Sequence, residues 1–187
     1  SRPVVLTGIT GFIAKRIALD LLEAGHSVRG SLRKLARADE VRDAIRPRLS
    51  DPAALDRLEF VELDLGRDEG WTEAMEGAQA LLHTASPFPL SSPKDENDLI
   101  RPAVEGTRRA LRAAQAAGVT RVVLTSSVAA ISAKDKRGAF TEEDWTDVTH
   151  PEATAYTKSK TLAERAAWDF VKEHPEMRLT AINPALV

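Results

Sequence analysis

Tyr156 and Lys160 stand four residues apart in Tyr156-Thr157-Lys158-Ser159-Lys160, within a segment whose spacing through Leu162, Ala163, Ala166, Ala167 and Phe170 predicts a helix. That spacing puts a phenol and an ammonium on one face. A tyrosine ordinarily ionises near pH 10, about three units above neutrality, and a neighbouring cation favours the phenolate. Such a group can give a proton to a carbonyl under reduction and take one back in the reverse direction. Tyr156 is the only tyrosine in the chain. A lone tyrosine is also a common half-buried packing residue, so the neighbouring motifs have to decide.

Two further sets of residues bear on the choice. Ser127 follows the apolar run Val122-Val123-Leu124, at the carboxyl end of a strand, where open α/β sheets place their ligands. Its hydroxyl can hydrogen-bond a substrate carbonyl and stabilise developing charge. Strand-end capping is the alternative for Thr125-Ser126-Ser127, and Ser126 points the other way if side chains alternate. The histidines at 26, 83, 150 and 174 are scattered, and no Gly-x-Ser-x-Gly occurs, so a serine hydrolase finds no support. His83 reads as a packing residue at a strand end.

The second set is the turn Thr7-Gly8-Ile9-Thr10-Gly11-Phe12-Ile13-Ala14, directly after Val4-Val5-Leu6. Gly8 and Gly11 let a strand bend sharply into a helix whose N-terminus meets a pyrophosphate, and Ala14 is small enough for close packing. The Gly-x-x-Gly-x-x-Ala spacing departs from Gly-x-Gly-x-x-Gly, and two such glycines can also mark a plain turn. Cofactor choice falls to the end of the second strand, about 20 positions on, where an acid would bind the ribose of NAD. Here the chain reads Ser31-Leu32-Arg33-Lys34. Arg33 offers a planar fork for a 2'-phosphate, which favours NADP over NAD. The plainer alternative is that Arg33, Lys34 and Arg37 form a solvated basic edge.

The elements that position these residues follow a repeating β-α pattern. Strands are expected at Val4 to Thr7, Ser27 to Leu32, Leu58 to Leu63, Ala80 to His83, Arg121 to Thr125 and Leu179 to Ile182. Ile13, Ile17, Leu21 and Leu22 mark a helix ending at Gly25, where glycine can adopt the left-handed conformation. A further helix runs along Leu99, Ala103, Thr107, Leu111 and Ala114, with Pro102 a kink or a late start. Leu35 to Asp56 reads as a solvated helix with a loop, and Ser132 to Ala155 as an active-site loop. The fold class is α/β: a doubly wound parallel sheet of six strands in the order 3-2-1-4-5-6, with helices on both faces.

Composition bounds the rest. At 187 residues with 43% hydrophobic and 29% charged, the chain suits one globular domain, residues 1–187. A net charge of -2 leaves no surplus of positive charge for a nucleic acid partner. Zero cysteines exclude disulfides and thiolate metal sites and suit a reducing, cytoplasmic setting. No stretch reaches the roughly 18 apolar residues of a membrane span.

The series of motifs resembles the extended short-chain dehydrogenase/reductases, the NAD-dependent epimerase/dehydratase superfamily, in their dihydroflavonol reductase-like and yeast methylglyoxal (aldehyde) reductase-like branch. The resemblance rests on Thr7 to Ala14, Val28 to Arg33, Asp64-Leu65, His83 to Phe88, Val123 to Ser127, Ala155 to Trp168 and Ile182 to Val187. It implies a catalytic triad of Ser127, Tyr156 and Lys160, with Lys160 also holding the nicotinamide ribose. It implies a pyrophosphate turn at Gly8, Thr10, Gly11, Phe12 and Ile13, and 2'-phosphate contacts from Arg33 and Lys34. Asp64 and Leu65 fall on the adenine pocket, and Ala85, Ser86 and Pro184 beside the ribose and nicotinamide. Two departures point to the reductase branch: Ala103 stands where many epimerase-like members carry asparagine, and Val128-Ala129 replaces the Asp-Glu pair of sugar dehydratases.

The resulting expectation is an NADPH-dependent reductase of a small aldehyde or ketone, as monomer or homodimer, with its substrate-binding region beyond Val187. A sugar-nucleotide epimerase, a hydroxysteroid-type dehydrogenase and a non-enzymatic NADP sensor share the scaffold and remain open.

Overall fold

A computed structural model of the chain describes residues 1–88, 91, 93–132 and 135–187. Among these, six strands form one sheet: β1 Val4–Thr7, β2 Val28–Leu32, β3 Leu58–Glu62, β4 Ala80–His83, β5 Arg121–Thr125 and β6 Arg178–Ile182. Every pairing is parallel, and the order is β3-β2-β1-β4-β5-β6 as expected. The helices are α1 Phe12–Glu23, α2 Ala38–Ile45, α3 Trp71–Met75, α4 Asn97–Ala116 and α5 Ala155–Glu173.

All four residues of β1, Val-Val-Leu-Thr, are buried. A parallel strand covered on both faces has no side left for water, so it is not alternately polar. Its side chains still alternate in direction. Val5 joins Trp71, Leu81, Ala110, Val122 and Leu124 in one core, and Leu6 joins Ala14, Ala18, Val28, Val41 and Ile45 in the other. Each core roofs one face of the sheet with helices.

Three expectations are corrected. β2 begins at Val28 and β6 at Arg178, and β3 stops at Glu62, shifts of one residue at strand ends. The segment from Leu35 is not simply solvated. It forms short 3-10 turns at Leu35–Arg37, Arg46–Arg48 and Pro52–Arg57 around α2, and Val41, Ile45, Leu49 and Leu55 are buried beneath its charged face. The apolar stripe there is narrow, two residues on α2, and the surrounding charges obscure it. Helix α4 starts at Asn97 and runs through Pro102, so the proline marks no late start.

Of the expected loop from Ser132 to Ala155, residues 133 and 134 lie outside the described residues. The remainder is anchored. Thr146 bonds the carbonyls of Ala129 and Ala130 through its hydroxyl (2.6 Å) and amide (2.8 Å), and the Arg165 guanidinium lies 5.1 Å from the Trp145 ring centroid. No helix among the described residues is long and apolar enough to cross a membrane.

Candidate active site

Between β1 and β4 the strand order reverses, and a crevice opens there at the carboxyl ends of the strands. It is a cleft of about 530 Å³ whose lining comes from four successive strand ends: Gly8 and Thr10, Ser31 to Arg33, Leu63 to Gly66, and Thr84 to Phe88. The turn after β1 is drawn tight against the one after β4. Gly8 has φ +69°, and a Cβ there would lie 3.0 Å from Ala85 Cα, so both conformation and space demand glycine. Its amide bonds the Ser31 hydroxyl at 3.1 Å. Gly11 then opens α1 with no side-chain cap, leaving first-turn amides without a partner among the described residues, as a ligand at the helix N-terminus requires.

The far end of the cleft is basic. Arg33 and Arg37 line it and also line an adjoining hollow of about 890 Å³, together with the bases Lys34 and Arg67 and the acids Glu62, Asp64 and Glu69. Arg37 is held by Glu40 at 2.7 Å, whereas Arg33 and Lys34 form no ion pair among the described residues. Asp64 turns its carboxylate back onto the Gly66 amide at 2.7 Å, which shapes the turn beside the cleft.

Helix α5 positions the other chemistry. Thr154 caps it by accepting from the Thr157 amide at 3.2 Å, which places Tyr156 in the first turn and Lys160 one turn later. The Lys160 ammonium sits 5.9 Å from the Tyr156 ring centroid. Lys160 is only 9% exposed, and burial pushes its pKa down from 10.5 to about 8. It shares a small cavity with Ala85, Ser86, Thr125 and Ser126, so its side chain reaches the ends of β4 and β5. Phe88, a lining residue of the main cleft, meets the Tyr156 ring edge-on at 5.5 Å. The tyrosine and the cleft are thereby neighbours.

Ser127 does cap: its oxygen accepts from the Ala129 amide at 3.1 Å, opening a 3-10 turn, Val128–Ala130, that packs on α5. One lone pair is used, and the hydroxyl hydrogen remains available for a carbonyl. The capping and functional readings are compatible. Ser126 is buried with its hydroxyl unpartnered among the described residues. His83 packs at the end of β4 as expected, and burial, with the Lys160 charge second, lowers its pKa to about 4.

Of the residues singled out in the sequence, Gly8, Thr10, Arg33, Asp64, Leu65, Ala85 and Ser86 are gathered on the main cleft. Gly11, Phe12, Ile13, Lys34, Ser127, Tyr156, Lys160 and Pro184 are not on its lining; Tyr156 adjoins it through Phe88, and Lys160 through the small cavity it shares with Ala85 and Ser86. Phe12 is 77% exposed at the start of α1. Pro184 accepts from the Val128 amide at 3.0 Å, tying the end of β6 to the Ser127 turn. Sequence reasoning missed a second tie at this corner. Asn183 donates from one amide group to the Ser127 carbonyl at 3.0 Å and to the buried Glu164 carboxylate at 2.9 Å. Glu164 lies four residues after Lys160 on the buried side of α5, a helical spacing that was legible.

A doubly wound α/β protein with its crevice at the switch point is the class this fold and cleft define. The chain belongs to the NAD dependent epimerase/dehydratase family, which it matches over residues 4–187. It is 34% identical to dihydroflavonol 4-reductase of Hordeum vulgare over 99% of this chain and 53% of that protein. With the NADPH-dependent methylglyoxal reductase of Saccharomyces cerevisiae it shares 35% identity over 98% of this chain and 58% of the relative. A crystal structure of the yeast methylglyoxal/isovaleraldehyde reductase complexed with NADPH superposes with a TM-score of 0.83 at 32% identity, covering 98% of this chain and 57% of that one. The chain thus spans about half the length of the relatives it matches.

Proposed function

We propose that this chain is the nucleotide-binding part of an NADPH-dependent reductase of aldehydes or ketones. The observation that carries the reading is Lys160, an almost enclosed ammonium beside the Tyr156 ring on a helix that borders the cleft. A buried cation without a hydrogen bond or ion pair among the described residues is costly, and it is useful where negative charge develops.

The residues present fit NADPH. Gly8 leaves room for backbone to approach a pyrophosphate, Gly11 with the amides of Phe12 and Ile13 would hold it at the start of α1, and Thr10 lines the same turn. Arg33 and Lys34, free of acidic partners among the described residues, would hold the 2'-phosphate; Asp64 and Leu65 would border the adenine. Ala85, Ser86 and Pro184 would flank the nicotinamide ribose, which Lys160 would also hold. Bound NADPH supplies the hydride. Ser127 directs its free hydrogen to the carbonyl oxygen, Tyr156 delivers the proton there, and Lys160 stabilises the phenolate left behind. The names of the yeast and barley relatives support a reductase of a small carbonyl compound.

In the full-length protein, Tyr156→Phe is expected to leave NADPH titration unchanged and to lower carbonyl turnover at least about a hundredfold. Turnover near the wild-type rate would show Tyr156 to be a packing residue and end the reading. NAD recovered tightly bound from the purified protein would favour the epimerase instead.

A further inference from the structure

Thr7 ends β1 fully buried, a polar side chain after three apolar ones. Its hydroxyl oxygen lies 3.0 Å from the Thr84 amide, 3.0 Å from the Ala85 amide and 2.8 Å from His83 Nδ1. A hydroxyl has two lone pairs and one hydrogen. Two amides can only donate, so they take both lone pairs, and the hydrogen must point at Nδ1. Nδ1 is then an acceptor, and His83 is the neutral tautomer protonated at Nε2. Burial favours the neutral ring, and a second proton would turn Nδ1 into a donor facing a donor; the Nε2–H of this tautomer is itself buried without a hydrogen-bond partner among the described residues, so the Thr7 contact alone selects it.

The amides so held begin the wall of the cleft. Thr84 to Phe88 all line it, Ala85 rests against Gly8, and Ala85 and Ser86 share the small cavity with Lys160. The Thr84 hydroxyl bonds back to the Thr7 carbonyl, closing the junction a second time. His83 itself stands on β4 directly opposite Thr7 in register. One oxygen atom therefore fixes the position of a segment that reaches both the glycine turn and the tyrosine.

We propose that Thr7 and His83 form a positioning pair: the histidine, locked as its Nε2–H tautomer, aims the threonine hydroxyl so that its lone pairs clamp the Thr84–Phe88 wall in the geometry that accepts the nucleotide. The nucleotide part rests on the function proposed above; the clamp itself does not.

The test uses imidazole ¹⁵N spectra, amide exchange and NADPH titration of the same protein. His83, assigned by the signals lost in His83→Asn, is expected to show an unprotonated Nδ1 and a protonated Nε2 near neutral pH. Thr7→Val keeps the shape and removes the hydroxyl. It should speed exchange of the Thr84 and Ala85 amides at least about tenfold and weaken NADPH roughly tenfold, while Thr7→Ser restores both. His83→Leu removes the acceptor together with the ring that meets Trp71 edge-on, and should loosen the same two amides if Thr7→Val fails to fold. A protonated Nδ1 in the wild type, or wild-type exchange in the folded variants, overturns the clamp. Faster exchange with undiminished NADPH affinity overturns the positioning role. A wild type that binds no NADPH defeats the nucleotide reading, and the spectra and exchange rates still decide the clamp.

Discussion

Replacing Arg33 with alanine separates a cofactor contact from an idle surface charge. Arg33 lines both the main cleft and the charged hollow beside it and has no ion pair among the described residues. Arg37 lines the same two spaces but is held by Glu40, which also engages Lys15 at 3.0 Å. A charge-assisted hydrogen bond contributes about 1.5 to 3 kcal/mol, and the exposure of Arg33 favours the lower end of that range. Arg33→Ala should therefore weaken NADPH roughly ten- to thirtyfold and leave NADH almost untouched, because only NADPH carries the 2'-phosphate. Arg37→Ala should cost only about a few-fold, since Glu40 already competes for its guanidinium. Raising the salt should shrink the NADPH preference, as expected for a solvent-facing ion contact. Fluorescence titration of both nucleotides against each variant reads all of this. Equal wild-type affinities for NADPH and NADH, or an Arg33→Ala variant that weakens both alike, would refute the assignment.

Two further predictions concern the fold around the site. Because burial lowers the Lys160 pKa to about 8 from 10.5, the folded chain binds fewer protons than the unfolded chain between those values; stability should rise with pH across that window by roughly 3 kcal/mol. Lys160→Met lacks this rise, so parallel pH profiles of thermal unfolding for the two proteins would contradict the buried ammonium. Gly8→Ala should destabilise more than Gly25→Ala: both glycines have positive φ, but only at Gly8 does the new Cβ meet backbone, 3.0 Å from Ala85. The left-handed conformation alone costs about 1–2 kcal/mol in each, so equal losses in denaturant titrations would show that the turn yields freely.

The sheet was legible because buried parallel strands announce themselves as apolar runs, and Val4-Val5-Leu6 and Val122-Val123-Leu124 are such runs bounded by polar residues. The site was legible where a residue type is unusual for its place: a lone tyrosine one helical turn from a lysine, and glycines directly after a strand. What stayed hidden depends on partners far apart in sequence. Thr7 reads as the last residue of a strand, and nothing local shows that its oxygen meets residues 83, 84 and 85. The same holds for Asn183, whose two bonds reach back to Ser127 and Glu164. Helix α2 was misjudged for a different reason, since two buried residues among eight look like a solvated face until the core they enter is known.

Lys160 and His83 show how the interior divides its charge. Both are basic groups buried near one another, and each would raise the cost of a proton on the other; the Lys160 charge contributes to the depression at His83. In the proposed clamp the Thr7 hydroxyl would resolve this competition, since with both lone pairs taken by amides it needs an acceptor and so favours the neutral ring. The positive charge is left to Lys160, which near neutral pH remains mostly protonated with a pKa of about 8. Lys160 also lacks a hydrogen bond or ion pair among the described residues, so packing alone gives no reason for an ammonium in place of an apolar side chain of similar length. The Tyr156 ring is the one partner its charge has among the described residues, and a buried charge so weakly compensated is a candidate for a functional one. Under the proposed mechanism, the same enclosure that makes the ammonium costly at rest would strengthen its attraction for a phenolate formed on Tyr156, because little water is present to screen the pair.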